Sequence, residues 1–193
     1  VPCFKDKNVM AAIPSIKIAK PTSIIQHIQS QEFLSSVFIR HIQSELGGVP
    51  LAPGAFTLVR KSFVEKYGLL RQDTMVEDLE LSLRIQSEGY LIENVVNANV
   101  YTSGVNTISA FVNQRIRWFC GFIIQMRKYK HLINSKFGNL GVFILPVGII
   151  YNKDLILTVS SIEVEVISEF LNCRVKNFST ENISRFILQI CLR

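Results

Sequence analysis

Apolar and polar positions along this chain change period several times, and each change marks an element. Val9–Ile18 (VMAAIPSIKI) is an apolar, partly β-branched run interrupted by Pro14. Such a run reads as strand, and the internal proline predicts two short strands or one bent one. Pro21-Thr22-Ser23 then opens a helical pattern in which Ile24, Ile28, Leu34, Phe38 and Ile42 recur, and Gly47-Gly48 closes it. Val49–Arg60 reads as a loop that turns at Pro53-Gly54 and enters a strand over Ala55–Val59. A short helix over Phe63–Tyr67 is stopped by Gly68, and Tyr90–Tyr101 supplies one or two more strands. Ile108, Phe111, Val112, Ile116, Phe119 and Ile123 keep three-to-four spacing and predict a strong helix over Ile108–Lys130.

One segment carries two contradictory signals. Leu79, Leu81, Leu83 and Ile85 alternate with Glu80, Ser82, Arg84 and Gln86, a period of two that argues for a strand. The residue types are helix formers, Thr74 and Glu77 fit a capping box, and Gly89 stands where a helix ends. Composition and caps outweigh the period here, so a helix is predicted over residues 75–88.

Beyond the strong helix, Arg127, Lys128, Lys130, His131 and Lys136 form a basic cluster ahead of the apolar run Leu140–Tyr151. Basic residues just before an apolar run mark a cytosolic membrane face. The run contains Pro146 and is shorter than the roughly 18 residues of a confident span, so it suits an interfacial or re-entrant piece. Asn152-Lys153-Asp154 interrupts it before Leu155–Ile162, and the tail that follows has no clear period. This divides the chain into a folded part over 1–136, a membrane-associated apolar segment over 137–162 and an unassigned tail over 163–193.

Composition sharpens that picture. Apolar residues make up 48% and charged residues 19% of the chain, too apolar for disorder and too mixed for a bundle of membrane helices. The net charge of +6 suits an anionic partner. The basic residues gather before an apolar run instead of alternating with exposed aromatics, which sets nucleic acid aside as that partner. Cys3, Cys120, Cys173 and Cys191 form no paired pattern, so a reducing compartment is expected, and the sequons at Asn177 and Asn182 are then accidental. The opening Val-Pro-Cys-Phe has no methionine and no signal sequence, and reads as the start of a fragment.

Three strings could carry chemistry. Val76-Glu77-Asp78 puts two acids at a helix start, where the dipole stabilises them whether or not they react. A carboxylate there could serve as general base toward a hydroxyl. Gln114-Arg115-Ile116-Arg117-Trp118 places Gln114, Arg117 and Trp118 on one helix face. A guanidinium is a rigid fork for phosphate oxygens and an indole a flat surface for a sugar ring, although a core tryptophan flanked by solvated arginines would give the same string. Pro53-Gly54-Ala55-Phe56 could let a backbone approach a ligand, but as a lone signal is only a turn. His27 and His41 are too far apart in the chain for a metal pair, and no metal ligands are assigned.

Taken in order, the three strings resemble the second half of the processive family 2 glycosyltransferases, the group of cellulose, chitin, hyaluronan and poly-N-acetylglucosamine synthases. The resemblance runs over roughly residues 5–150: Pro53–Phe56 is similar to a PGAF motif, Glu77-Asp78 with Leu79–Tyr90 to an ED motif, and Gln114–Trp118 to Q-x-x-R-W. It implies an α/β fold of GT-A (Rossmann-like) type around a mostly parallel sheet, without the N-terminal nucleotide-binding half. By it, Asp78 with Glu77 is catalytic, Asp78 being the general base. Gln114, Arg115 and Arg117 hold the donor diphosphate, and Trp118, Gly54 and Ala55 meet the acceptor. The implied reaction is inverting transfer of a sugar from a nucleotide-diphosphate donor to a glycan or lipid acceptor, at the cytosolic face of a membrane.

Two departures accompany the resemblance. Val76 stands where the family often has threonine, and the chain contains no Asp-x-Asp. The divalent cation (Mg or Mn) of such enzymes would therefore have its ligands upstream, and this chain alone is expected to be inactive. The alternative is a non-catalytic, membrane-associated module that keeps the fold without the donor site.

Overall fold

In the computed structural model of the chain, residues 2–68, 74 and 76–150 are described here. They form a three-stranded mixed sheet with helices packed on it. The order is β1 (Val9–Ile18), α1 (Ile24–Glu45), β2 (Leu58–Val59), α2 (Lys61–Tyr67), α3 (Glu77–Ser87), β3 (Leu91–Thr102) and α4 (Ile108–Lys128). The strand order is β2-β1-β3, with β1 parallel to β3 and antiparallel to β2. This is the α/β class that the resemblance implies.

β1 is central and buried on both faces, as its mostly apolar run suits. Pro14 bends it without dividing it. The pairing with β3 slips between Pro14 and Ser15, so that Pro14 faces Val95 and Ser15 faces Asn99. Ser15 Oγ donates to the Val96 carbonyl at 2.9 Å and closes the irregularity. β3 is one strand rather than two. β2 is shorter than its apolar pattern suggests, because residues ahead of it fold into a turn in which Thr57 Oγ1 donates to the Pro53 carbonyl.

α3 is a helix, and its structure explains the contradictory pattern. All eight residues from Leu79 to Gln86 are buried, on every side of the helix. When no face meets water, periodicity carries no directional information. Leu81 and Ile85 join Met10, Ala11, Ile13, Phe63 and Ile92 in the core. The polar residues are held by neighbours. Gln86 accepts from the Val49 N–H and donates to the Val49 carbonyl, both at 2.8 Å. Ser82 Oγ accepts from the Ala52 N–H at 2.7 Å, and Asp78 accepts from the Gly54 N–H at 3.0 Å. Residues 78, 82 and 86 make one stripe along the helix, and the 49–54 loop is fastened down it. On other faces Arg84 pairs with Glu80 at 3.3 Å and donates to the carbonyls of Tyr67 and Gly68.

The expected Thr74–Glu77 capping box does not form. Val76 is the N-cap and has no side-chain bond, while Thr74 Oγ1 accepts from the Val76 N–H and from Gln125. The Asp78 carboxylate takes the exposed end of the helix instead, accepting from the Leu79 N–H at 2.8 Å. Gly89 does follow the helix in the left-handed region, with φ of 81°.

α1 and α4 are helices at the expected places, but α1 is turned over. A genuine capping box between Ser23 and Gln26 starts α1, and Thr107 caps α4. The residues α1 buries are Gln26, Gln29 and Arg40, whereas Ile24, Ile28, Phe38, Ile39 and Ile42 are exposed. α4 buries Cys120, Gly121, Gln125 and Met126 and exposes Ile108 and Ile124. Burial pulls the Arg40 guanidinium down to about 10.

Residues 138–150 are helical, with a π turn at Leu140–Ile144. Contacts divide the chain into one compact unit through Leu145 and a second from Pro146. Within the first, Gly48 and Gly141 admit the helix closely: a Cβ at Gly48 would lie 2.9 Å from Leu140 Cβ, and one at Gly141 only 2.2 Å from the Asn134 carbonyl oxygen. No helix among the described residues is long and apolar enough to cross a membrane. The expectations for Tyr151, Leu155–Ile162, the tail, its two sequons, Cys173 and Cys191 lie outside the described residues.

Gln86→Leu is expected to destabilise the fold by about 2–4 kcal/mol, because it strands both buried backbone groups of Val49. A urea titration of the two proteins measures this, and equal midpoints would show that the loop is held elsewhere.

Candidate functional site

Asp78 is half-buried at the first turn of α3, and each of its oxygens meets a backbone donor. Oδ1 accepts from the Leu79 N–H at 2.8 Å and Oδ2 from the Gly54 N–H at 3.0 Å. Burial raises its pKa above the ordinary aspartate value. The Leu79 and Gly54 N–H bonds oppose that shift, while the neighbouring Glu77 charge adds to it. The result is a fixed, partly desolvated carboxylate that takes a proton more readily than a free aspartate does. Glu77 is half-buried beside it.

Gly54 sits against this carboxylate, and a Cβ there would come 3.3 Å from Asp78 Oδ2. Gly54, Ala55 and Phe56 are all exposed, so the turn presents its surface immediately next to the acid. Two of the three strings singled out in the sequence thus meet in one place.

The third string approaches through α4. Gly121 lies against Val76, with only 2.4 Å and 2.5 Å from its would-be Cβ to the two valine methyls. Only a residue without a side chain lets the helix come this near. Gln125 Nε2 donates to Thr74 Oγ1 at 2.7 Å, and Tyr129 donates its hydroxyl to the buried Glu80 at 2.7 Å. Gly121, Gln125 and Tyr129 therefore grip the start of α3 along one face of α4. Gln114 and Trp118 continue the same face at helical spacing, Trp118 one turn before Gly121.

Trp118 is half-buried rather than sealed in the core. The Arg115 guanidinium carbon lies 4.5 Å from the centre of its ring and 4.5 Å from that of Phe111. Arg115 also pairs with Glu32 of α1. Arg117 is exposed. Gln114 Oε1 accepts from Gln29 Nε2 at 2.9 Å. The arginines of the motif thus differ: Arg115 is engaged inside the protein, and Arg117 is presented at the surface.

Gln29 and Glu32 were not among the residues that sequence reading selected. Gln29 lies away from the apolar stripe of α1, on the side a helix ordinarily gives to water, and Glu32 lies at the edge of that stripe. His27 and His41 are exposed. Among the described residues no group of three His, Cys, Asp or Glu is placed to hold a metal ion.

Residues 4–191 match the model of a family described as Glycosyl transferase family group 2. Over 153 residues the chain is 29% identical to the uncharacterized glycosyltransferase YaiP of Escherichia coli K12, a stretch covering 78% of this chain and 38% of that protein. Over 117 residues it is 30% identical to the poly-beta-1,6-N-acetyl-D-glucosamine synthase of Staphylococcus aureus COL, covering 60% of this chain and 28% of the synthase. A solved structure, the mannosyltransferase PcManGT from Pyrobaculum calidifontis in complex with GDP-Man and Mn2+, superposes with a TM-score of 0.48 and 16% identity, covering 66% of this chain and 32% of that one. The chain spans less than two-fifths of the length of each of these proteins.

Gly121→Ala is expected to lower stability by about 1–3 kcal/mol, since the new methyl overlaps Val76. Val76→Ala in the same protein removes both opposing methyls and should recover part of the loss. Thermal denaturation of the single and double variants decides; a double variant no better than Gly121→Ala would mean that the contact does not set the helix spacing.

Proposed function

The chain belongs to glycosyl transferase family group 2, and from that membership we propose that it forms the acceptor side of an inverting, GT-A-type sugar transferase using a nucleotide-diphosphate donor. The observation that carries this reading is the Asp78 carboxylate, held on two backbone N–H groups at the helix end that α4 grips.

In the proposed reaction an acceptor hydroxyl attacks the anomeric carbon of the donor sugar in line with the departing diphosphate. The new bond joins acceptor oxygen to that carbon, and the bond from carbon to phosphate oxygen breaks. Asp78 takes the hydroxyl proton. Its raised affinity for protons suits this role, because a base works best when its pKa is near the working pH. Arg117, exposed, with the amide of Gln114, meets the diphosphate as negative charge develops on it. Arg115, paired with Glu32, lies against the Trp118 ring. Trp118 offers its half-buried ring to the acceptor sugar, and the Gly54-Ala55 turn lines the acceptor side. A divalent cation, were one held in the complete protein by residues outside those described, would supply charge stabilisation for the leaving diphosphate.

The proposed setting is the cytosolic face of a membrane, with a glycan or lipid acceptor. The support is that α1 exposes an apolar stripe, α4 exposes Ile108 and Ile124, and the segment beyond it exposes Val142 and Phe143. Exposed Arg127, Lys128, Lys130, His131 and Lys136 lie between Ile124 and Val142 in the chain, and basic residues next to apolar ones suit an anionic lipid surface.

Asp78→Asn in the complete protein, assayed in membranes for transfer from a nucleotide sugar, is expected to lose about a hundredfold or more in rate at unchanged protein level. Transfer at the parent rate would remove Asp78 from the mechanism.

A second expectation concerns pH. The base works ionised, so kcat/KM falls as pH drops through its pKa, and this limb should lie above the roughly 4 of a free aspartate. Gly54→Pro deletes an N–H that favours the charged form, so activity should begin to fail at a still higher pH. A limb that does not move would show that the Gly54 amide does not act on the base.

A further inference from the structure

Helix α1 touches the Q-R-I-R-W string at two points one turn apart, and nothing in the reaction outlined above uses either. The first is Gln29, 1% exposed. Its Oε1 accepts from the Val105 N–H at 2.9 Å, and its Nε2 donates to Gln114 Oε1 at 2.9 Å. A backbone N–H can only donate, so it fixes which end of the Gln29 amide faces it. The other end must then donate, and Gln114 must accept. Gln114 is thereby turned with its carbonyl toward α1 and its NH2 away from it. A single backbone proton thus decides that the free end of Gln114 is a donor, the polarity that phosphate oxygens need.

The loop that supplies this proton is itself built onto α1. A Cβ on Gly104 would lie 2.9 Å from Gln29 Oε1, so glycine is what allows the loop so close. Gln26 Nε2 donates to the Gly104 carbonyl at 3.2 Å and also bonds the Asn106 side chain. The second point is Glu32, three residues on from Gln29. It pairs with Arg115, whose guanidinium lies against both Phe111 and Trp118. A cation placed against an indole holds the ring by electrostatic attraction to its face, and an anion behind the cation keeps it there.

We propose that Gln29 and Glu32 are positioning residues of the transfer site: Gln29 sets the polarity of Gln114, and Glu32, through Arg115, sets the orientation of Trp118. The consequence for catalysis rests on the glycosyl-transfer reading, but the clamp itself is a matter of geometry and can be tested apart from it.

The activity arm uses the complete protein in membranes with a nucleotide-sugar donor. Gln29→Glu keeps an acceptor for the Val105 N–H but offers no donor, so Gln114 must turn its NH2 inward. The expected result is a donor KM raised about tenfold with kcat changed less. In a Gln114→Ala background the same substitution should change the donor KM less than about twofold, because its target is gone. Equal factors in both backgrounds would make Gln29 a structural residue only and overturn its part of the proposal.

The spectroscopic arm needs no turnover. The emission of Trp118 is taken as the difference between each protein and its Trp118→Phe counterpart. Glu32→Ala should shift that emission and make the ring more accessible to acrylamide, and Glu32→Gln, which keeps an acceptor for Arg115, should restore most of the parent signal. Quenching that is the same in all three overturns the clamp, whether or not Gln29→Glu folds. A parent protein that shows the Trp118 response yet transfers sugar from no nucleotide donor would refute the glycosyl-transfer reading and leave the clamp standing.

Discussion

The structure depends on a short helix that has no surface of its own. α3 is buried on every side, and a polar group buried with it costs on the order of 1–3 kcal/mol if left unpaired. Gln86, Ser82, Asp78 and Glu80 each find a partner, and the partners are the parts of the protein that make the site. Gln86, Ser82 and Asp78 fasten the 49–54 loop, and Glu80 receives Tyr129 from α4. The loop with Gly54, the carboxylate and the motif helix are therefore placed by the same requirement, that a buried polar group must find a partner. Asp78 belongs to both lists, closing the end of the helix and presenting the acid.

Much of the fold was legible because local signals agreed. Pro21 to Ser23 and Gly47 bracket α1, Gly68 stops α2, and the apolar run of β1 reads as a strand bent at Pro14. The order of elements follows from such signals, and the fold class from the family resemblance. The helix over 75–88 was read correctly against an alternation that carries no information, because periodicity reports which side faces water, and for α3 no side does. The failures have specific causes. The capping box at Thr74 fails because Gln125, distant in sequence, takes the threonine hydroxyl into another contact. The strand at Ala55–Val59 shrinks because Thr57 reaches back to Pro53.

The site was legible in its parts and silent in its joints. Gly54, Asp78 and the Gln114–Trp118 string could be chosen by residue type and order. That Gly54 donates to Asp78, or that Gly121 rests on Val76, is a tertiary fact with no local trace. Gln29 and Glu32 were hidden for a different reason. α1 turns its amides inward and its isoleucines outward, so the usual inference from amphipathicity points to the wrong side of the helix. The inversion becomes intelligible once the neighbours are known: the inner side of α1 meets backbone groups at 104–106 and polar side chains of α4, which only amides and charges can satisfy.

The alternation of α3 also bears on how the chain matures. As it leaves the ribosome, Leu79–Ile85 carries the signature of an edge strand, and in isolation it is a candidate for intermolecular β pairing. The partners that commit it to a helix are mostly synthesised before it: β1, the 49–54 loop and α2 all precede it in the chain. Tyr129, which donates to a Glu80 already paired with Arg84 inside the helix, arrives last. The order of synthesis thus brings most of the covering partners first and leaves the contact with α4 to the end, so that a stall between the two would expose an incompletely covered segment to proteolysis or aggregation.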